Sequence, residues 1–395
     1  MRNHFPSLTG VFIAVLLAAF AGGCAEDPTS VGAQLLPRTD FPVVHRDTLY
    51  AVSHRSTKAF IVTQYADQMM LGSFQTYQAW AALKFFALPD TMLGATIRSA
   101  SIRLRSSYRT GDSLAPFSFD VYEATTSIMR DSLTMDSVLL RPLDYRQSVA
   151  VTSVSGVGPG DTLTFSFSIP DTAMLNRWFS TNADTISGNY GLLLVPTSAG
   201  MIRGLSTMYA ADTANRPMLT VSYTKNGVAG TYSHHIDSTR YFATVDEGAL
   251  LSNPARITVQ NGISYRGFVT FDLSHVPNPS LVSLATLDFT QDPSGSRMTW
   301  LSHDSLYAGI VDANGNLSSS IYRLSDVATD SLGRVHYSFN ATAFVQAWMK
   351  NSALPRVVSL SGFDETGTMD LYSIFGASAP AGTRPRLIIT YSTTR

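Results

Sequence analysis

The residues of this chain that could do chemistry are few and far apart. Trp300, in Met298-Thr299-Trp300-Leu301, stands a few positions ahead of Tyr307 and has no counterpart elsewhere in the sequence. Such aromatics can lie flat against the apolar face of a sugar ring. Trp300 and Tyr307 are therefore the candidate ligand-binding residues, with burial in a core as the other reading. Asp312, Asn314 and Asn316 place oxygen ligands at alternate positions, as a calcium loop does. The helix-loop-helix form needs a glycine one place after the third ligand and a later glutamate, and neither is in place. Asn314-Gly315 between two strand-like runs is instead the favoured hairpin turn, so these three are only weak metal candidates. Of the eight histidines only His234-His235 are adjacent, and no His-Glu-x-x-His or Gly-x-Ser-x-Gly occurs. A zinc site and a hydrolase nucleophile thus have no signature. Gly156-Val157-Gly158-Pro159-Gly160 lacks the lysine of a phosphate loop, and Pro159 removes an amide the phosphate would need. No cofactor is expected, and the chain reads as a non-enzyme.

Composition points the same way. At 395 residues, with 45% hydrophobic and 14% charged residues, the chain can bury more than one core. A net charge of −1 provides no basic field for nucleic acid. Lysine and glutamate are scarce while Ser, Thr, Val and aromatics are common, which is a strand-and-turn composition. The single cysteine, Cys24, excludes an internal disulfide.

The strands that must position any site follow from period-two alternation. Ile102 and Leu104 face one way and Arg103 and Arg105 the other, a half-buried antiparallel strand. Arg216-Pro217-Met218-Leu219-Thr220-Val221-Ser222-Tyr223 reads as a closing strand, and Arg384-Pro385-Arg386-Leu387-Ile388-Ile389-Thr390-Tyr391 repeats it. A tryptophan-bearing segment precedes each copy at nearly the same distance. Ser168 to Trp178, with Ser168 as cap, and Phe339 to Met349, with Asn340 as cap, are expected short helices. Met174, Leu175 and Trp178 share one helix face, as do Phe344, Val345 and Trp348, which assigns both tryptophans to cores. The chain is thus two copies of one plan. One short helix cannot cover a sheet face, so two sheets must cover each other. The expected fold is all-β: two tandem antiparallel β-sandwich modules of jelly-roll type, each with one short helix. Leu83, Phe85, Ile102 and Leu104 supply the facing layer in the first, and Val269, Phe271, Leu287 and Phe289 in the second. The expected division is 1–24 signal peptide, 25–46 tether, 47–224 first module, 225–230 linker and 231–395 second module. The small-residue linker predicts two modules that melt independently.

Val11 to Phe20 is an apolar run of signal-peptide length behind Arg2. With Ala21-Gly22-Gly23-Cys24 it resembles a bacterial lipobox, although Ala21 stands where leucine is usual. That resemblance implies acylation of Cys24 and a lipid anchor, an ordinary cleaved signal being the alternative. Acidic residues directly after the cysteine, Glu26 and Asp27, resemble the surface-export signal of some Gram-negative lipoproteins. The run from Asp27 to Asp40 resembles the start of an uncharacterised family of such proteins.

In order, the motifs are Ser99-Ala100 with Ile102 and Leu104, a helix ending in Trp178, Gly191-Leu192-Leu193-Leu194, and Arg216 to Tyr223. Ala285, Leu287, Trp348 and Arg384 to Tyr391 echo them, while Arg356-Val357-Val358-Ser359-Leu360 replaces the Gly-Leu-Leu-Leu run. Together they resemble the bacterial DNRLRE domain, a jelly-roll similar to some carbohydrate-binding modules and to transforming-growth-factor propeptides. The resemblance covers most of the mature chain, and its motifs are packing motifs, none of them catalytic. It implies an outer-membrane, surface-exposed lipoprotein that binds polysaccharide or another envelope polymer. The rival readings are a structural or adhesive spacer that assembles with other surface proteins, and a polysaccharide-active enzyme. Membrane contact would run through the anchor at Cys24, and no nucleic acid partner is expected.

Overall fold

Strand-favouring alternation and frequent turn residues give the chain two large antiparallel sheets and a few short helices. The structure, a computed structural model, describes residues 42–85, 89, 92–157, 160, 162–179, 189–278, 280–299, 304–312 and 317–393. The expected signal peptide, Cys24 and all but the end of the tether lie outside these residues. In chain order the strands are β1 (Val43–Lys58), β2 (Gln68–Phe74), β3 (Tyr77–Lys84), β4 (Thr96–Gly111), β5 (Phe117–Glu123), β6 (Thr152–Val157), β7 (Leu163–Ile169), β8 (Leu192–Pro196), β9 (Met201–Ser206), β10 (Met218–Lys225) and β11 (Val228–His235). They continue as β12 (Ser238–Val245), β13 (Arg256–Gln260), β14 (Tyr265–Phe271), β15 (Leu281–Thr290), β16 (Leu306–Val311), β17 (Leu317–Leu324), β18 (Asp326–Thr329), β19 (Val335–Asn340), β20 (Val357–Gly362), β21 (Leu371–Phe375) and β22 (Arg386–Thr393). The helices are α1 (Met135–Leu140), α2 (Pro142–Tyr145), α3 (Thr172–Phe179), α4 (Glu247–Leu250) and α5 (Thr342–Lys350).

The two tandem sandwich units are present, and so are their cores. Leu83, Phe85, Ile102 and Leu104 lie in one cluster with Trp178, Met174 and Leu175. Val269, Phe271, Leu287 and Phe289 lie in the other with Trp348, Phe344 and Val345. The repeat extends to the pairing: β4 lies between β7 and β10, and β15 lies between β19 and β22. Beyond the one helix per module read from sequence, α1 and α2 cover the outer face of β3, β8 and β12. Trp80, Leu193 and Phe242 form a third apolar cluster there with Met135 and Val138.

The helix caps differ in detail. Ser168 belongs to β7, and the residue that holds the start of α3 is Asp171, whose Oδ1 accepts from Met174 N at 2.9 Å. Asn340 ends β19 and its Oδ1 accepts from Thr342 N at 3.1 Å, while Ala341 occupies the cap position of α5.

The module boundaries read from sequence do not match the strand pairing. β1, placed by sequence at the start of the first module, pairs with β22 through Val43–Tyr50 and with β14 through Ala51–Lys58, both in the second. Conversely β11 pairs with β10 and β12 pairs with β3, both in the first. The exchange is reciprocal, because β11 and β12 occupy beside β10 and β3 the places that β1 occupies beside β22 and β14. Its cause is a turn mistaken for a linker. Asn226 and Gly227 both have positive φ, 51° and 76°, and join Lys225 to Val228, which pair directly. This is the tight Asn-Gly hairpin, and it folds β11 back onto β10 instead of releasing it. With β11 and β12 committed to the first half, β1 fills the vacated places in the second. There the Tyr391 hydroxyl donates to Asp47 Oδ2 at 2.8 Å and the His45 ring stacks on Tyr391.

Candidate functional site

β17, β16, β20, β14 and the second half of β1 are neighbours in one sheet. Its inner face carries Ala308, Ile310, Val358, Leu360, Val269 and Phe271, all buried. Alternation therefore turns Tyr307, Gly309, Ser359, Ser361, Arg266 and Phe268 outward. The register lines them up. Arg55, Phe268, Ser359, Gly309 and Tyr322 run across the strands in one row, and Ser361, Tyr307 and Leu324 in the next. Small residues in mid-row and aromatics at the sides make a trough.

At one end of this face Tyr307 stacks on Phe363, with ring centroids 5.5 Å apart and planes 20° apart. Phe363 and Tyr322 each keep 37% of their surface exposed. Arg266, Tyr307, Leu317, Tyr322, Ser361 and Glu365 enclose a depression of about 430 Å³. Its polar group is rigid: Glu365 takes both Nε and Nη2 of Arg266 at 2.7 Å, and Ser264 Oγ donates to the same carboxylate at 2.6 Å. Hydrogen bonding to Glu365 raises the Arg266 pKa above its already high ordinary value, so the guanidinium stays charged. Along the same face Arg55 sits over the Phe268 ring at 4.7 Å. Aromatic faces beside a fixed ion pair can hold a flat ligand with one apolar side and polar edges.

Of the candidates named from sequence, Tyr307 lies on this face. Trp300 lies outside the described residues, as do Asn314 and Asn316, while Asp312 is half-buried just past the end of β16. The flanking strands β16 and β17 pair antiparallel, with Val311 opposite Leu317, and the Asn314-Gly315 turn read between them lies outside the described residues. Among the described residues no group of three or more His, Cys, Asp or Glu side chains is placed to hold a metal ion. His234 and His235 diverge on a strand, and His234 Nε2 is bound to the Asp237 carboxylate at 3.0 and 3.1 Å. His336 bridges Asp288 and Asp330, which also pair with Arg386 and Arg334. Asp330 is held well below the usual carboxylate range, first by the Arg334 backbone N–H. These pairs form an ionic strap across β19.

Phe363, Tyr322, Arg266 and Glu365 were not singled out from the sequence. The available signal was one aromatic out of phase with the apolar alternation: Phe363 follows Ser359 and Ser361 at period two, opposite in phase to Val358 and Leu360. An all-β fold with such a face suits a binding or structural role. No family model matches the chain, and no curated protein matches it.

Proposed function

We propose that this chain is a non-enzymatic, lipid-anchored protein of the outer membrane that binds polysaccharide through the outer face of its second sandwich. The observation that carries the reading is the Tyr307–Phe363 stack facing Tyr322 across a depression bordered by the Arg266–Glu365 pair. A pyranose ring has an apolar C–H face suited to the rings and hydroxyls suited to a guanidinium and a carboxylate held in fixed geometry. Removing a central aromatic anchor costs about 2 kcal/mol, roughly thirty-fold in affinity. Tyr307→Ala and Tyr322→Ala should each weaken retention on envelope polysaccharide by at least tenfold, read by glycan array or affinity electrophoresis. The melting temperature should shift little, because both rings lie at the surface. A screen in which wild type retains no polysaccharide would defeat the reading.

The lipid anchor is tested separately. Cys24→Ser should abolish incorporation of labelled palmitate and move the protein from the membrane fraction to the soluble one. Membrane fractionation unchanged by the substitution would remove the anchor from the account.

A structural or adhesive role draws support from a different observation. β18 lies at the end of its sheet with all four residues exposed, and β11 closes the other sheet with exposed side chains along much of its length. Open edges of this kind accept a strand from another protein.

A further inference from the structure

The two halves meet along a seam, and one stretch of it is lined by arginine. Hairpin β2–β3 of the first half faces β13 and β21 of the second across a depression of about 440 Å³. Arg256 and Arg297 are its charged residues, no carboxylate lines it, and Thr76, Ser252, Asn253 and Ser373 supply hydroxyl and amide groups.

The two guanidinium groups are held differently. Arg256 gives Nη2 to Asp292 Oδ2 at 2.5 Å and to Ser294 Oγ at 2.9 Å. Its Nη1 lies on the Gly295 side, where a Cβ added to Gly295 would come within 2.6 Å of both Arg256 Nη1 and Ser373 Oγ. The two polar atoms thus converge on a spot that glycine keeps open. Arg297 lies 4.3 Å from the Tyr77 ring centroid and 5.3 Å from that of Phe74, rings that fix the guanidinium plane. Its Nη1 donates to Gln75 Oε1 at 3.3 Å, while Nε and Nη2 are buried with no hydrogen-bond partner. Among the described residues no carboxylate lies within ion-pair distance of Arg297. Asp370 accepts instead from Thr299 N and Oγ1 at 2.9 Å. Two buried N–H groups without an acceptor leave the guanidinium under-satisfied, and its exposed Nη1 edge is the side an anion can reach. Arg297 also borders a second depression of about 350 Å³ that contains Arg109, so positive charge continues along the seam.

We propose that this seam binds a carboxylated sugar, a hexuronate unit of an acidic glycan. Arg297 and Arg256 hold the carboxylate, and the hydroxyl and amide groups of Thr76, Ser252 and Asn253 hold the ring hydroxyls. A carboxylate can take one Nη1 N–H from each guanidinium, and the space exceeds what a lone small anion fills. The inference does not rest on the Tyr307 face, which uses other residues on another sheet surface.

The test is calorimetric titration of the full chain with galacturonate and oligogalacturonate at low salt. Galactose is the neutral control, and acetate and inorganic phosphate are the other anions. Galacturonate should bind at least tenfold more tightly than galactose, acetate or phosphate, and the affinity should fall as salt rises. Arg297→Gln should lower it at least tenfold, Arg297→Lys should restore only part, and Tyr307→Ala should leave it unchanged. Because Arg297 also packs on Tyr77, Gly295→Ala provides a second variant, which crowds the pocket without removing a charge and should weaken galacturonate to a similar degree. Equal binding of galactose and galacturonate would overturn the proposal. So would acetate or phosphate binding as tightly as galacturonate, or galacturonate affinity unchanged in Arg297→Gln and Gly295→Ala.

Discussion

Trp348→Ala is expected to lower the unfolding free energy by about 3–5 kcal/mol, the usual cost of emptying a buried aromatic site. α5 has nine residues and is too short to be stable alone in water. It exists because Phe344, Val345 and Trp348 are buried against the second core, and Trp348 is the largest side chain of the three. Its ring lies 6.5 Å from that of Phe344, so truncation opens a void between the helix and the sheets. The indole nitrogen has no hydrogen-bond partner although it is buried. Trp348→Phe should therefore cost much less than Trp348→Ala, since it removes an unsatisfied donor along with part of the ring. The equivalent Trp178 behaves differently. Its Nε1 donates to Glu123 Oε1 at 2.8 Å, and Glu123 also pairs with Arg177. Trp178→Phe leaves that buried carboxylate short of a donor and should cost more than Trp348→Phe. Urea denaturation of the three variants checks the order. Equal losses for the two Phe variants would show that the indole hydrogen bond contributes nothing.

These packing features were legible because they are local. The alternation around Ile102 and Leu104, and the shared face of Met174, Leu175 and Trp178, are properties of a few adjacent residues. Strand partners are not. The first half of β1 alternates half-buried and exposed, which says that one face is covered and leaves open by what. Both β14 and the matched β3 offer an equivalent edge, because the two halves repeat one plan. Which edge β1 takes depends on the Asn226-Gly227 turn more than a hundred residues away. The same reasoning applies to the candidate site. Tyr307 could be named from its own neighbourhood, whereas Phe363 and Arg266 reach it only through the register of β20 with β16 and β14.

The exchange of strands has a large consequence for folding. The whole chain should unfold in one cooperative transition, where a linker over 225–230 would have given two. β1 is paired over eight residues with β22 and over seven with β14, so it has a partner along both halves of its length. At about 1 kcal/mol per intramolecular hydrogen bond, losing this strand removes an amount comparable to a domain's entire margin of about 5–15 kcal/mol. It also bares the edges of β22 and β14 and removes Ala51 from the core. A fragment of residues 227–393, which holds every other strand of the second half, should therefore not fold alone, because it lacks β1 and carries β11 and β12 without β10 and β3. A fragment of residues 42–226 should fail for the reciprocal reason. Mixed at equal concentration, the two should recover the circular dichroism and the buried-tryptophan fluorescence of the intact chain, since the cut falls in an exposed two-residue turn. Recovery should depend on concentration, as association of two chains requires. A fragment of 227–393 that melts cooperatively without its partner would show that β1 is dispensable and that each half carries its own complete sandwich.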